Sequence, residues 1–156
     1  IDLNRYDGIL NPGGTTALFD GCINAAEASS EYGKQLIHDR FRANGILIVI
    51  TDGANNAGRF SEEHQVTEVA KAFRETQLKE CLESFTTILI GVNLETAEYE
   101  RILQSFQTAA GFTVPMIALK DATPATIAKI GKFIVDSVSS TSQSLGTGGP
   151  SQSIKF

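Results

Sequence analysis

Short runs of consecutive apolar residues alternate along this chain with longer segments in which apolar residues recur every three or four positions. The short runs are rich in β-branched residues, which is typical of strands buried on both faces of a parallel sheet. They cover residues 46–50, 87–92 and 115–119. The periodic segments predict amphipathic helices. These helices cover residues 17–29, 61–83, 94–110 and 123–138, the last with a predicted inward stripe of Ile127, Ile130, Ile134 and Val138.

The alternation of helix and strand predicts an α/β fold. We expect a Rossmann-like parallel sheet of three strands, with right-handed crossovers that place helices on both faces. The first strand is the most apolar, which favours a central position, yet no upstream segment predicts a strand for its other edge. We therefore expect an incomplete sheet. The domain is predicted to cover residues 1–140, and the Ser- and Gly-rich residues 141–156 predict a tail or linker.

A polar triplet, Thr51-Asp52-Gly53, follows the first strand directly. Ligands of open parallel sheets bind at the carboxyl ends of the strands, so Asp52 either serves a ligand there or caps the next turn. A second polar loop, Gly13-Gly14-Thr15-Thr16, precedes the first helix and would meet the triplet at or beside the same edge. A hydroxyl and a carboxylate brought together suit a hard cation such as Mg²⁺, which keeps several waters and needs few protein oxygens.

Two segments about thirty residues apart form a distinctive pair, Pro12-Gly13-Gly14-Thr15-Thr16-Ala17-Leu18-Phe19-Asp20 and Ile48-Val49-Ile50-Thr51-Asp52-Gly53. Together they resemble the von Willebrand factor type A (vWA) domain, and the similarity extends to about Ser140. In that family a metal-ion-dependent adhesion site (MIDAS) binds Mg²⁺ or Mn²⁺, and a partner protein often supplies a carboxylate to the open metal position. The resemblance implies a protein-binding module, not an enzyme, whose partner presents an acidic residue.

The resemblance also implies which residues form the site. Asp52 is the acidic member and acts on the metal through water. Counting back from Ala17-Leu18-Phe19-Asp20 makes Thr16 the second metal ligand, whereas counting forward from Gly13-Gly14 makes it Thr15; Thr16 is preferred. The remaining candidate ligand-binding residues of the two loops are Gly14, Gly53 and Asn55.

One family motif, Asp-x-Ser-x-Ser, does not occur in this sequence. The nearest string, residues 136–140, has Val138 in place of the first serine. Because the family carries this motif after its first strand, the resemblance implies that the N-terminal strands would precede Ile1, and that another segment or chain supplies them. A lone Thr and Asp bind Mg²⁺ poorly, since the ion dehydrates reluctantly. We therefore expect weak or no metal binding by this chain.

The alternative function is that of a metal-dependent hydrolase or phosphatase on a Rossmann-like sheet. Such an enzyme needs a nucleophile or paired acids at the carboxyl edge, and the sequence places only Asp52 there. A phosphate-ester assay with and without Mg²⁺ separates the two functions.

Composition narrows the partners further. A net charge of -5 argues against nucleic acid or an anionic membrane as the main partner. No apolar stretch approaches the roughly 20 residues of a membrane span. Cys22 and Cys81 each fall in an apolar helical pattern, which predicts buried free thiols and favours a reducing compartment. The Ser-rich end resembles bacterial intracellular vWA proteins of the tellurite-resistance type, so we expect a cytoplasmic location.

Overall fold

The computed structural model describes residues 17–53, 62–94, 96–147 and 156. Four helices and three strands alternate along these residues. They are α1 (Leu18–His38), β1 (Asn44–Thr51), α2 (Glu62–Leu78), β2 (Ser84–Gly91), α3 (Ala97–Ala110), β3 (Ile117–Ala118) and α4 (Pro124–Thr147). The strands are parallel and lie in the order β1-β2-β3. The predicted α/β, Rossmann-like arrangement is confirmed at this level.

Alternate residues of each strand contact different helices, because successive side chains of a strand point to opposite faces. Leu47 and Val49 of β1 belong to a core formed with α1, α2 and α3, whereas Ile46 and Ile48 belong to a core formed with α4. Helices therefore cover both faces of the sheet, as predicted. None of the described helices is long and apolar enough to cross a membrane.

Phenylalanines dominate the core under α1, α2 and α3. Phe73 contacts Phe112 edge-on, with ring centroids 5.0 Å apart, and Phe106 contacts Phe112 in the same manner at 5.5 Å. Phe19 of α1 lies 4.7 Å from Phe106 of α3. Such pairs each contribute about 0.5–1.5 kcal/mol beyond the area they bury, so they fix α1 and α3 relative to each other.

The prediction that the first strand is central is wrong for the described sheet. β2 lies between the other two strands, and its residues from Thr87 to Gly91 are all buried. β1 pairs with β2 alone among the described residues, and its side chains up to Val49 are only partly buried. The apolar content of a strand does not indicate its place in the sheet. β1 is apolar because helices partly cover both of its faces, although no described strand pairs with its outer edge.

Helix ends also differ from the predictions. The first helix does not end at residue 29, as predicted, but continues through Gly33 to His38. A side chain at position 33 would lie 2.7 Å from the carbonyl oxygen of Cys81, so this glycine permits close packing instead of a turn. The second helix ends at Leu78, five residues early, and Cys81 lies in the turn that follows. Both cysteines are buried and free, as predicted.

The last helix is longer than predicted. It runs to Thr147, nine residues past the predicted end at Val138, and so crosses the predicted domain boundary at residue 140. Its Ser- and Thr-rich part stays helical because small polar side chains are accommodated there. Ser137 is buried and its hydroxyl donates to the Phe133 carbonyl at 2.7 Å, and Thr141 is buried as well. Of the predicted tail, residues 148–155 lie outside the described residues. The predicted inward stripe of this helix was wrong for Ile127 and Val138, which are 50% and 49% exposed.

Candidate functional site

The carboxyl end of β1 is tied to β2 and closed by the side chain of Thr51. The Thr51 carbonyl accepts a hydrogen bond from the Val92 backbone N–H at 2.8 Å, which extends the pairing beyond β2. The buried Thr51 hydroxyl donates to the Gly53 carbonyl at 2.8 Å and accepts from the Gly53 N–H at 3.3 Å. These bonds hold a tight bend in which Asp52 is exposed and Gly53 is half-buried.

The hydrogen bonds of this bend show that Thr51, and not Asp52, closes it. The bend is closed by the Thr51 hydroxyl, as in turns built on Ser and Thr. The next helix, α2, begins at Glu62, ten residues after Asp52, so Asp52 is not its N-cap. The Asp52 carboxylate is instead presented to solvent at the carboxyl edge of the sheet, where the sequence predicted it.

A second acid near this edge, Asp121, does act as a cap, in contrast to Asp52. It follows β3, and one carboxylate oxygen accepts hydrogen bonds from the Thr126 hydroxyl, the Thr123 N–H and the Thr123 hydroxyl. These bonds lower the pKa of Asp121, the Thr126 bond most. The Thr123 hydroxyl also accepts from the Thr126 N–H at 3.3 Å and so caps α4 ahead of Pro124. Asp121 is therefore committed to the start of α4.

Sequence reasoning missed Asn93, which lies at the same edge. It follows β2 by two residues and has a left-handed backbone, with φ of 52°. Asparagine adopts this conformation more readily than most residues. Backbone conformations that are rare for residues other than glycine concentrate at functional sites. The signal was available: a polar residue directly after a buried strand is the same pattern that singled out Asp52.

A cleft of about 580 Å³ lies at the carboxyl ends of β2 and β3, beside the first turn of α3. Leu94, Ala118 and Leu119 form apolar parts of its lining, and Glu100 and Lys120 are the charged residues among the described residues that line it. The α3 N-terminus is already capped, since the Thr96 hydroxyl accepts from the Tyr99 N–H at 3.3 Å. Asp52 is not among the residues that line this cleft, so the cleft and the Thr51-Asp52-Gly53 bend are separate features of one edge.

The described oxygen atoms at the bend are by themselves too few to coordinate a divalent cation. Asp52 supplies one exposed carboxylate, and the Thr51 hydroxyl is occupied by Gly53. No group of three or more His, Cys, Asp or Glu side chains that could hold a metal ion occurs among the described residues. Mg²⁺ prefers octahedral oxygen coordination and gives up water reluctantly, so one carboxylate is too little for tight binding.

Four predicted site residues lie outside the described part of the chain. They are Gly14, Thr15, Thr16 and Asn55. The predicted meeting of the Gly13–Thr16 loop with the Asp52 bend therefore stays a prediction. α1 begins at Leu18, two residues after Thr16, and contacts β1, which is the arrangement that the prediction requires of the helix.

The cysteines do not form a reactive site. Burial raises the pKa of the Cys22 thiol to about 12, so the thiol stays protonated near neutral pH. The Cys81 sulfur lies 3.7 Å from the buried Ser30 hydroxyl. These two thiols are parts of the packing around α1.

Comparison with protein-family models, with curated proteins and with solved structures finds no match for this chain.

Proposed function

We propose that this chain is part of a protein-binding module of vWA type and that the bend at the end of β1 belongs to its recognition surface. The observation that carries the proposal is the exposed Asp52 carboxylate, held by the Thr51–Gly53 hydrogen bonds at the carboxyl edge of a parallel sheet. The fold class and the position of the acid agree with the sequence resemblance. Other Rossmann-like sheets share both features.

The proposed partner is a protein that presents an acidic residue. In a complete domain of this type the bridging group is Mg²⁺ or Mn²⁺, with Thr16 or Thr15 and Asp52 on the side of this chain. Because the described bend has a single free carboxylate, we expect this chain to bind such an ion only weakly, in the millimolar range. Further oxygen ligands would come from another segment or chain.

Titration with Mn²⁺, followed by electron paramagnetic resonance of the free ion, tests the proposal. We expect weak binding that falls severalfold in Asp52→Asn. A matched control is Asp39→Asn, which removes another exposed carboxylate just after α1, away from the carboxyl edge. Equal binding by all three proteins would contradict a role for Asp52.

The alternative, a metal-dependent hydrolase or phosphatase, rests on the same acid at the same edge. Against it stands the commitment of Asp121, another described acid at that edge, to capping α4. Incubation with p-nitrophenyl phosphate, with and without Mg²⁺, distinguishes the two functions. We expect no turnover above buffer, and metal-dependent turnover that is lost in Asp52→Asn would establish the enzyme instead.

A further inference from the structure

The cleft at the carboxyl ends of β2 and β3 has the size and the place of a binding site. Its volume of about 580 Å³ lies within the range of about 300–1,000 Å³ that is usual for ligand sites. A cavity of about 150 Å³ already takes up a benzene ring. Ligands of open parallel sheets bind outside the carboxyl ends of the strands, which is where this cleft lies.

The cleft exists because two small residues face each other across it. Ala97 lies in the first turn of α3, and Ala118 is the last residue of β3. Ile117 packs on the α4 side of the sheet, so the side chain of Ala118 points to the opposite face, which carries α3. Beside them, Leu94 packs against the core under α1, α2 and α3. The two alanines therefore leave room for a bulky apolar side chain of a ligand next to Leu94.

Backbone hydrogen bonds hold the walls of the cleft in place. The Gly91 carbonyl accepts from the Leu119 N–H at 2.8 Å, and the Leu119 carbonyl accepts from the Leu94 N–H at 3.4 Å. Between Gly91 and Leu94, the left-handed backbone of Asn93 turns the chain from the end of β2. A Cβ at Gly91 would lie 2.9 Å from the Leu94 side chain, so Leu94 covers the end of β2 closely. The cleft is therefore preformed, and binding there costs little in ordering the protein.

Two opposite charges line the cleft without pairing with each other. Glu100 is half-buried on the α3 side, and one of its carboxylate oxygens accepts from the Gln104 side-chain amide at 3.1 Å. Lys120 is exposed on the β3 side and forms no ion pair with any described residue. The cleft thus offers a hydrogen-bond acceptor on one wall and a cationic donor on the other.

We propose that the cleft binds an extended segment of a protein partner, with a bulky apolar side chain between Ala97 and Ala118 and a neighbouring carboxylate on Lys120. A backbone N–H of the same segment donates to Glu100. One short peptide then supplies a matching group to each part of the lining. The proposal takes from the proposed function only that the partner is a protein with an acidic residue, and it requires neither Asp52 nor a metal ion.

Two features favour a chain segment over a free small molecule. Ala97, Ala118 and Lys120 are all exposed, so the cleft is open to solvent, whereas sites for small molecules bury about 70–90% of their ligand. A segment can leave an open cleft at both ends. The second feature is that β3 lies two strand spacings, or roughly 10 Å, from β1. About three residues of extended chain span that distance, so one partner segment reaches both the cleft and the Asp52 bend.

Titration of the full chain with the capped peptide acetyl-Gly-Leu-Asp-Gly-amide tests the proposal. We expect saturable changes in the backbone amide signals of Leu94, Ala118 and Leu119 in nuclear magnetic resonance spectra, with a dissociation constant of about a millimolar or lower. Alanine in place of the peptide's leucine should weaken binding about tenfold, because the apolar side chain is lost. Asparagine in place of its aspartate should weaken binding about twofold to fivefold, as expected for an exposed ion pair.

Variants of the chain test the same contacts from the other side. Ala118→Leu fills the cleft and should abolish binding, and it is expected to fold because Ala118 is exposed. Lys120→Gln should weaken binding about twofold to fivefold. The matched control is Lys132→Gln, which makes the same change of charge at an exposed lysine on α4, on the other face of the sheet. It should leave the dissociation constant unchanged.

The outcomes separate this proposal from the proposed role of Asp52. Asp52→Asn should bind the peptide as the wild-type protein does, so a failure of Mn²⁺ binding at Asp52 leaves the cleft proposal standing. Unchanged signals of Ala118 and Leu119 would overturn the cleft proposal even if Asp52 binds Mn²⁺. Equal affinity for the leucine and alanine peptides would overturn it too. N-acetyl-leucine amide bound as tightly as the peptide would show a site for small molecules instead.

Discussion

Replacement of Thr51 by valine tests whether its hydroxyl holds the bend that presents Asp52. Valine keeps the shape and the β-propensity of threonine but removes the two hydrogen bonds to Gly53, at 2.8 and 3.3 Å. A typical hydrogen bond contributes about 0.5–1.5 kcal/mol net, and an unsatisfied buried group costs about 1–3 kcal/mol. Gly53 is half-buried, so water can satisfy part of what the hydroxyl leaves. We therefore expect Thr51→Val to lower the free energy of unfolding by about 1–2 kcal/mol.

Urea unfolding followed by circular dichroism measures this difference in the free energy of unfolding. In a thermal scan, a chain of this size should lose about 2–4 °C in Tm for each kcal/mol. Thr51→Ser should recover most of the loss, because it restores the hydroxyl. Thr108→Val is the matched control: its exposed hydroxyl contacts only its own helix, the Gln104 carbonyl at 3.0 Å and the Gln107 side-chain oxygen at 3.4 Å, so the change should be within about 0.5 kcal/mol. Thr51→Val as stable as the wild-type protein would refute this account of the bend.

Three further predictions concern packing and charge. Gly33→Ala should destabilise the protein, because the new methyl group meets a backbone carbonyl at 2.7 Å. Gly21→Ala, with open space around it, should instead stabilise the same helix by about 0.5–1 kcal/mol. Urea titrations of the two variants and the wild-type protein measure both changes in the free energy of unfolding. The Cys22 thiol, with its pKa raised to about 12 by burial, should react with a thiol reagent at pH 8 only after unfolding, and rapid labelling of the native protein would be the contrary result. Arg42 donates two hydrogen bonds to Glu83 and holds the pKa of that carboxyl below its usual value, so the pair stabilises the fold at neutral pH and this stabilisation is lost as the pH falls through the folded-state pKa. Glu83→Gln should therefore flatten the pH dependence of Tm in acid, and salt should have the same effect.

The fold class could be predicted because short apolar runs and helical periodicity are local signals. The three parallel strands and the alternating helices followed from residues close together in sequence. The position of β1 at the edge of the described sheet could not be predicted in this way, since strand order depends on contacts between distant segments. Apolar content pointed to the centre, whereas pairing and burial place β2 there.

Two kinds of local signal were misleading. The apolar periodicity predicted that the first helix ends at residue 29, but α1 continues through Gly33, where the chain before β2 approaches too closely for a side chain. The Ser-rich residues after Val138 were interpreted as a tail, yet α4 continues to Thr147 because buried Ser137 and Thr141 find backbone partners or packing within the fold. Composition indicates the average behaviour of a segment and not the contacts it makes.

The candidate site could be predicted in part. The place of Asp52 directly after a buried strand could be predicted, and β1 does end at Thr51, whereas the role of Asp52 at a metal site stays a prediction. The role of Thr51 in closing the bend was not predicted, because a hydroxyl after a strand does not reveal its acceptor. Asn93 was overlooked, although it follows β2 as Asp52 follows β1.

Paramagnetic broadening of backbone amide signals by Mn²⁺ is the sharpest test of our proposal that Asp52 marks the recognition surface of this chain. Broadening falls off steeply with distance, so it locates the bound ion even when binding is weak. We predict that the signals of Asp52, Gly53 and Val92 broaden first and that Asp52→Asn abolishes the effect. Broadening centred instead on Glu98 and Glu100, the two acids in the first turn of α3, and unchanged in Asp52→Asn, would contradict the proposal.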